Sequence, residues 1–297
     1  MYLEFYGLDR KPFSKTPDPS MLYQSPLHAE ALARMEQAVE DRELMVLTGE
    51  IGSGKTTLSR ALIDLLPSSV KPALIINPRL SPNQLLRTVA KRLGEDEPKH
   101  YRSDLVEQIY ELLYYCYDKD ILPLLIIDEA QVIPSRDTFE EIRLLTNFQL
   151  DDRNLMSIIM MGQPELTRRL RHPAFEALRQ RIGLTYHLSN LAAEQVEAYI
   201  DFRVREAGGS RNMFSKQAME LMASLSKGVP RWINNMASTA LLEGFGRDAE
   251  TVGPEIIKDV ARDLGLLEDH DNRGQENIFR EKGEGGRNPE KVAGSNS

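Results

Sequence analysis

The chain has 297 residues, 41% of them hydrophobic, a formal net charge of −8, five histidines and one cysteine. That length suggests about two domains with a sizeable core, and a single cysteine excludes an internal disulfide. The acidic balance argues against a surface coated for non-specific nucleic-acid binding, while leaving room for a local basic patch.

The first seven residues lack the basic-then-apolar build of a signal peptide. Residues 1–27 are rich in aromatics and prolines (Phe5, Tyr6, Pro12, Phe13, Tyr23, Pro26), which predicts an ordered lead-in packed on the core. Helical spacing of Ala31, Leu32, Met35, Ala38 and Val39 predicts a helix from about His28 to Asp41. An apolar strand from Leu44 then runs into Gly49-Glu-Ile-Gly-Ser-Gly-Lys-Thr-Thr57, and a helix marked by Leu58, Ala61, Leu62, Leu65 and Leu66 follows.

Strand, G-x-x-x-x-G-K-T and helix in that order predict a phosphate-binding loop. Gly49, Gly52 and Gly54 leave no Cβ in the way of a backbone that wraps a polyphosphate, so N–H groups of Glu50, Ile51 and Ser53 can also point inward. Lys55 supplies a full charge to the β and γ phosphates of ATP. The Thr56 hydroxyl is placed to ligand Mg²⁺, and Thr57 adds to the helix N-terminus.

Further along, a strand is predicted at Ala73–Asn77, helices at Pro82–Leu93 and Ser103–Tyr117, and an apolar strand at Leu124–Ile127. Cys116 reads as a small core residue, with a reactive thiol as the alternative. Tyr110, Tyr114, Tyr115 and Tyr117 could form a stacking surface, with packing as the plainer use. Then come helix Thr138–Leu150, strand Leu155–Met161, helix Pro164–His172, short helix Ala174–Arg181 and strand Leu184–Leu188. The alternation predicts a three-layer α/β sandwich around a parallel sheet over residues 28–190. From 191 to 267 only helices are expected, forming a small all-helical lid. The composition of residues 268–297 reads as a disordered tail. The longest apolar run, Ile121 to Ile127, is too short for a membrane span, so a cytoplasmic location is expected.

Asp128 and Glu129 end the third strand, where ligands bind in open α/β sheets. Asp128 is expected in the Mg²⁺ shell and Glu129 as the residue that orients and polarises the attacking water. Gln163 follows the next strand and can touch the γ-phosphate or that water; turn chemistry before Pro164 is its alternative. Arg179 and Arg181 precede the last strand, a place that faces a neighbour in ring-forming ATPases, and one of them is expected to reach the adjacent subunit's site; a solvated helix face is the alternative. Arg168, Arg169 and Arg171 form a further basic cluster that can contact a partner or nucleic acid, with a solvated face as the plainer reading. Arg231 sits beside Pro230 at a helix start, facing the positive end of the helix dipole at a cost of about 0.3–1 kcal/mol. A γ-phosphate reached by closing the lid would offset that cost.

With these pieces placed, the sequence resembles the general secretion pathway protein A (ExeA-type) group of AAA+ ATPases over about residues 1–265. The resemblance is carried by Phe5-Tyr-Gly-Leu8, Pro12-Phe13, Thr16-Pro-Asp-Pro19, Leu22-Tyr23, Ser25-Pro26 and His28, then by Thr48 to Thr56. Ile127-Asp-Glu-Ala-Gln131, Gly162-Gln-Pro-Glu-Leu166, Leu178-Arg-Gln-Arg-Ile182 and Gly228-Val-Pro-Arg231 complete it. It implies a P-loop AAA+ module with a helical lid, homo-oligomers formed with ATP, and a role in assembling envelope machinery through a membrane-protein partner, from the cytoplasm or the periphery of the inner membrane. Longer members of the group continue into a membrane span and a peptidoglycan-binding domain, whereas a polar stretch follows the match here. A DNA-associated regulator, akin to transposition ATPases, is the competing expectation, and the acidic balance ranks it second.

Overall fold

The computed structural model describes residues 1–14, 18–150, 153–209 and 211–267. The expected tail lies outside the described residues. The strands are β1 (Leu44–Gly49), β2 (Val70–Ile75), β3 (Leu122–Ile127), β4 (Gln149–Leu150), β5 (Arg153–Asn154), β6 (Ser157–Gly162) and β7 (Ile182–Leu188). Five of them form one parallel sheet in the order β2-β3-β6-β1-β7. The chain leaves β1 toward one edge and returns past it to place β7 on its other side. That reversal opens a crevice at the carboxyl end of β1, where a ligand can enter.

The lead-in holds α1 (Tyr2–Phe5), and the helices flanking the sheet are α2 (Pro26–Glu40), α3 (Lys55–Leu65), α4 (Pro82–Arg92), α5 (Arg102–Asp118), α6 (Arg136–Leu145), α7 (Pro164–Leu170) and α8 (Glu176–Arg179). Strand residues alternate between two faces because successive side chains point oppositely. Leu44, Val46, Leu125, Ile127, Ile158 and Met160 join the core with α4 to α8. Met45, Leu47, Leu124, Ile126, Ile159 and Met161 join that of α2 and α3. Each such side chain contributes about 1.5–3 kcal/mol by leaving water. The three-layer sandwich expected from the sequence is therefore present.

Boundaries differ where edge chemistry intervenes. β2 begins at Val70, before the predicted Ala73, because an edge strand paired only with β3 tolerates exposed Pro72. α6 stops at Leu145 instead of Leu150, since Gln149–Leu150 turns back to pair with Arg153–Asn154.

The helical lid contains α9 (Ala193–Glu206), α10 (Lys216–Ser226), α11 (Pro230–Gly246) and α12 (Pro254–Asp263). The lead-in, expected on the core, divides: Leu22 and Leu27 pack on the cluster of α2 and α3, while its aromatic part packs on the lid. Tyr6, Leu8 and Phe13 belong to the lid's apolar cluster, where Phe5 meets Phe245 and Phe13 meets Phe214 edge to face. Buried Arg203 of α9 fastens it, donating from Nε to the Pro12 carbonyl at 2.7 Å and from Nη1 to the Met21 carbonyl at 3.1 Å. The aromatic rings of the lead-in find their match in lid aromatics, which the sequence did not pair in advance. Among the described residues, no helix is long and apolar enough to cross a membrane.

Candidate nucleotide site

The loop from Gly49 to Thr56 joins β1 to α3. Gly52 and Gly54 hold φ of +84° and +106°, left-handed values that favour glycine. Among the described residues, the N–H groups of Gly52, Gly54, Lys55 and Thr56 have no carbonyl partner, and the buried Ser53 hydroxyl has no hydrogen bond. The Ser53 N–H, expected to point inward, donates to the Glu50 carbonyl at 3.1 Å instead; the unpaired donors that remain, with an orphaned hydroxyl, fit an anion. The Lys55 ammonium is buried and donates to the carbonyls of Gly49 and Glu50 at 2.8 and 2.9 Å. Burial pulls its pKa down; the charges of Glu129, Asp128 and Glu50 oppose that, and Arg231 adds to it.

Asp128 is buried at the end of β3. Its Oδ2 accepts from the Thr56 hydroxyl at 2.8 Å and its Oδ1 from the Glu129 N–H at 2.8 Å. Burial raises its pKa above the ordinary carboxylate value, opposed by the Thr56 and backbone hydrogen bonds. Glu129 follows at φ +55°. Two amides converge on its Oε2: Gln131 donates from Nε2, and Gln163 donates from Nε2 at 3.3 Å. Gln131 also accepts at Oε1 from the Gln163 N–H at 3.1 Å. A Cβ on Gly162 would fall 2.7 Å from Gln131 Oε1, so a glycine there makes room for the amide.

Gln131 thus links the two residues named from the sequence, a role that two-residue proximity to Glu129 alone did not reveal. Gln131→Ala is expected to lower phosphate release about tenfold while leaving ATP affinity within about twofold, because it loosens Glu129 and spares the loop. Equilibrium binding and single-turnover hydrolysis measure the two effects separately.

His28 is a second residue whose part the sequence reading left undefined. Its Nε2 lies 3.1 Å from the Ser53 carbonyl, which can only accept, so Nε2 carries the proton and Nδ1 accepts from Ser25 Oγ at 2.7 Å. The buried ring ties α2 to the phosphate loop across 25 residues of sequence, a contact no local spacing announces. Burial lowers its pKa below the ordinary 6.5. Between that depressed value and 6.5 the unfolded chain binds the extra proton, so stability is full above about 6.5 and falls as pH drops through this window. Thermal melts between neutral and mildly acidic pH should show that loss, and His28→Gln should flatten it.

The lid closes the other wall. A cleft of about 520 Å³ is lined by Tyr23, Thr56, Glu129, Tyr199, Arg231 and Asn234 among others. Arg231 touches the loop directly: its N–H donates to the Gly52 carbonyl at 3.3 Å, and a Cβ on Gly52 would lie 2.4 Å from Arg231 Cβ. That hydrogen bond satisfies one orphan donor of the α11 terminus. The guanidinium makes no ion pair among the described residues.

The structure brings Lys55, Thr56, Asp128, Glu129, Gln163 and Arg231 together. It does not bring Arg179 or Arg181 to them. Arg179 donates to the Arg171 carbonyl at 3.2 Å and lines a separate hollow with Thr185 and His187. Arg181 lies beside Arg42 and Glu43, near the amino ends of β1, β6 and β7. Arg169, expected on a solvated face, is instead half-buried. It stacks over Phe139 and Phe175 and donates to the Ile133 carbonyl, because α7 packs against the turn after β3.

A family profile described as an AAA domain matches residues 37–170. The chain is 36% identical over 272 residues to general secretion pathway protein A of Aeromonas hydrophila, a match covering 91% of this chain and 49% of that one, so it spans about half the relative's length. Among solved structures, Cdc6p of Pyrobaculum aerophilum superposes with a TM-score of 0.65 at 15% identity, covering 85% of this chain and 70% of that one. The Aeropyrum pernix ORC2 protein gives 0.64 at 18% identity, covering 86% and 71%. At these identities the likeness extends to the fold.

Proposed function

We propose, from the premise that this chain belongs to the AAA+ ATPases of the general secretion pathway protein A type, that it hydrolyses ATP with magnesium to drive assembly or remodelling of a cell-envelope system. The observation that carries the reading is the convergence of a donor-lined loop, a hydrogen-bonded pair of half-buried Thr56 and buried Asp128, and an amide-held Glu129 on one cleft. The loop N–H groups, Lys55 and the α3 terminus bind the phosphates. Thr56 and Asp128 would hold Mg²⁺: their oxygens, 2.8 Å apart, are hard donors at about the spacing of adjacent corners of an octahedron with bonds of about 2.1 Å. When bound there, the ion would supply charge neutralisation at the phosphates.

With Oε2 engaged by Gln131 and Gln163, Glu129 keeps Oε1 free to orient a water and take its proton. Gln163 holds that carboxylate, and Arg231 brings a cation from the lid. Arg179 or Arg181 completes the site of a neighbouring copy, so the active form is a homo-oligomer assembled with ATP. A membrane protein of the envelope system is the proposed partner. The test is phosphate release with and without Mg²⁺: chelation should reduce it to background, and equal rates in excess chelator would remove the Thr56–Asp128 metal assignment. A DNA-associated role draws less support from a chain of net charge −8 in which Arg169 is engaged internally. DNA binding that weakens steeply with salt would reverse that ranking.

A further inference from the structure

One face of the molecule takes no part in the nucleotide cleft. α5 buries Leu105, Ile109, Leu113 and Cys116 against the sheet, and its opposite stripe reads Glu107, Tyr110, Glu111, Tyr114, Tyr115, Asp118. That spacing, i, i+3, i+4, i+7, i+8, i+11, is one continuous outward row. A solvated row is ordinarily filled by charged residues that pair along the helix. Here three of six are tyrosines, 40%, 52% and 60% exposed. They border a groove of about 370 Å³ that also includes Glu111 and Asp118.

Charge decides what such a groove accepts. At its C-terminal end the chain supplies a cation of its own: Lys119 Nζ lies 5.8 Å from the centre of the Tyr115 ring and 3.3 Å from Asp118. An ammonium held between a ring face and a carboxylate is thus already present once. Toward the N-terminal end an acid and a ring again stand three residues apart, in the reverse order: Glu107 with Tyr110 and Glu111 with Tyr114. Among the described residues neither glutamate makes an ion pair, and no cation stacks on either ring. Tyr110 leans on Phe148, with ring centres 5.6 Å apart, which fixes its orientation.

We infer that this face docks a basic segment of a partner protein, whose arginine or lysine side chains stack on Tyr110 and Tyr114 against Glu107 and Glu111, repeating the arrangement of Lys119. The carboxylates repel nucleic acid, and the rings give a cation more than bulk charge would. The inference does not rest on ATP hydrolysis.

The probe is a fluorescent peptide carrying two arginines three residues apart, titrated into the full chain by anisotropy at several salt concentrations. Saturable, salt-sensitive binding is expected. Replacing Tyr110, Tyr114 and Tyr115 together with leucine should weaken it about tenfold at unchanged charge, whereas the triple phenylalanine protein should bind like the wild type. Glu107→Gln with Glu111→Gln should weaken it comparably and flatten the salt dependence. Undiminished binding by the leucine variant would mean attraction by net charge alone and would sink the idea, as would absence of saturable binding. Should the leucine variant fail to fold, ring resonances of the unaltered protein decide: the peptide must shift those of Tyr110, Tyr114 and Tyr115 and leave buried Tyr6 and Tyr199 unmoved. If sedimentation instead shows the wild type self-associating without peptide and the leucine variant monomeric, the face binds a second copy and the basic-partner assignment is lost.

Discussion

Glu129→Gln is expected to bind ATP as tightly as the unaltered protein and to release phosphate about a hundredfold more slowly, or less still. Glu129 lines the cleft with one carboxylate oxygen held by two amides, which leaves the other to accept a proton from water. Glutamine keeps the shape and cannot take the proton. Lys55→Ala should do the opposite. Removing the ammonium deletes a charged contact to phosphate worth about 1.5–3 kcal/mol, so affinity should fall by about 10- to 100-fold and hydrolysis with it. The two variants separate chemistry from binding only if both quantities are measured. A Glu129→Gln protein turning over at the wild-type rate would remove Glu129 from the mechanism.

That separation depends on a site whose skeleton could be read from sequence. The glycines and Lys55-Thr56 are contiguous, and Asp128-Glu129 ends an apolar run, so local pattern places both at carboxyl ends of strands. The five-strand sheet followed for the same reason: four apolar residues in a row, as in Leu124–Ile127, suit a strand covered on both faces. What escaped were relations across the chain. Nothing near Gln131 indicates that its amide bridges Glu129 to Gln163, 32 residues on. Nothing near His28 indicates a hold on Ser53. The lead-in carried a correct signal of order and only part of its destination: Leu22 and Leu27 reach the sandwich, but the aromatics go to the lid, because aromatic composition reports that surface will be buried without saying against which partner. Arg169 was misread similarly: a cation among other cations looks solvated until Phe139 and Phe175 are seen beneath it.

The Arg179→Ala/Arg181→Ala double variant is expected to bind ATP normally and hydrolyse it up to about a thousandfold more slowly, although neither arginine lines its own nucleotide cleft. Both lie exposed ahead of β7, the sheet edge that leaves their guanidiniums without an ion pair among the described residues. Only a second copy can bring a γ-phosphate to that edge. Glu129→Gln is inactive for a different reason and retains both arginines. Mixed oligomers of the two inactive proteins therefore contain interfaces in which an intact Glu129 faces intact arginines, about one quarter of all interfaces in an equal, random mixture. Phosphate release from the mixture should rise well above the sum of the separate samples, and should climb with protein concentration because the rescued sites require association. Native mass measurement can establish that the two proteins co-assemble. If they co-assemble and the mixture stays inactive, the arginines serve structure or their own subunit, and a site completed by the neighbour is excluded.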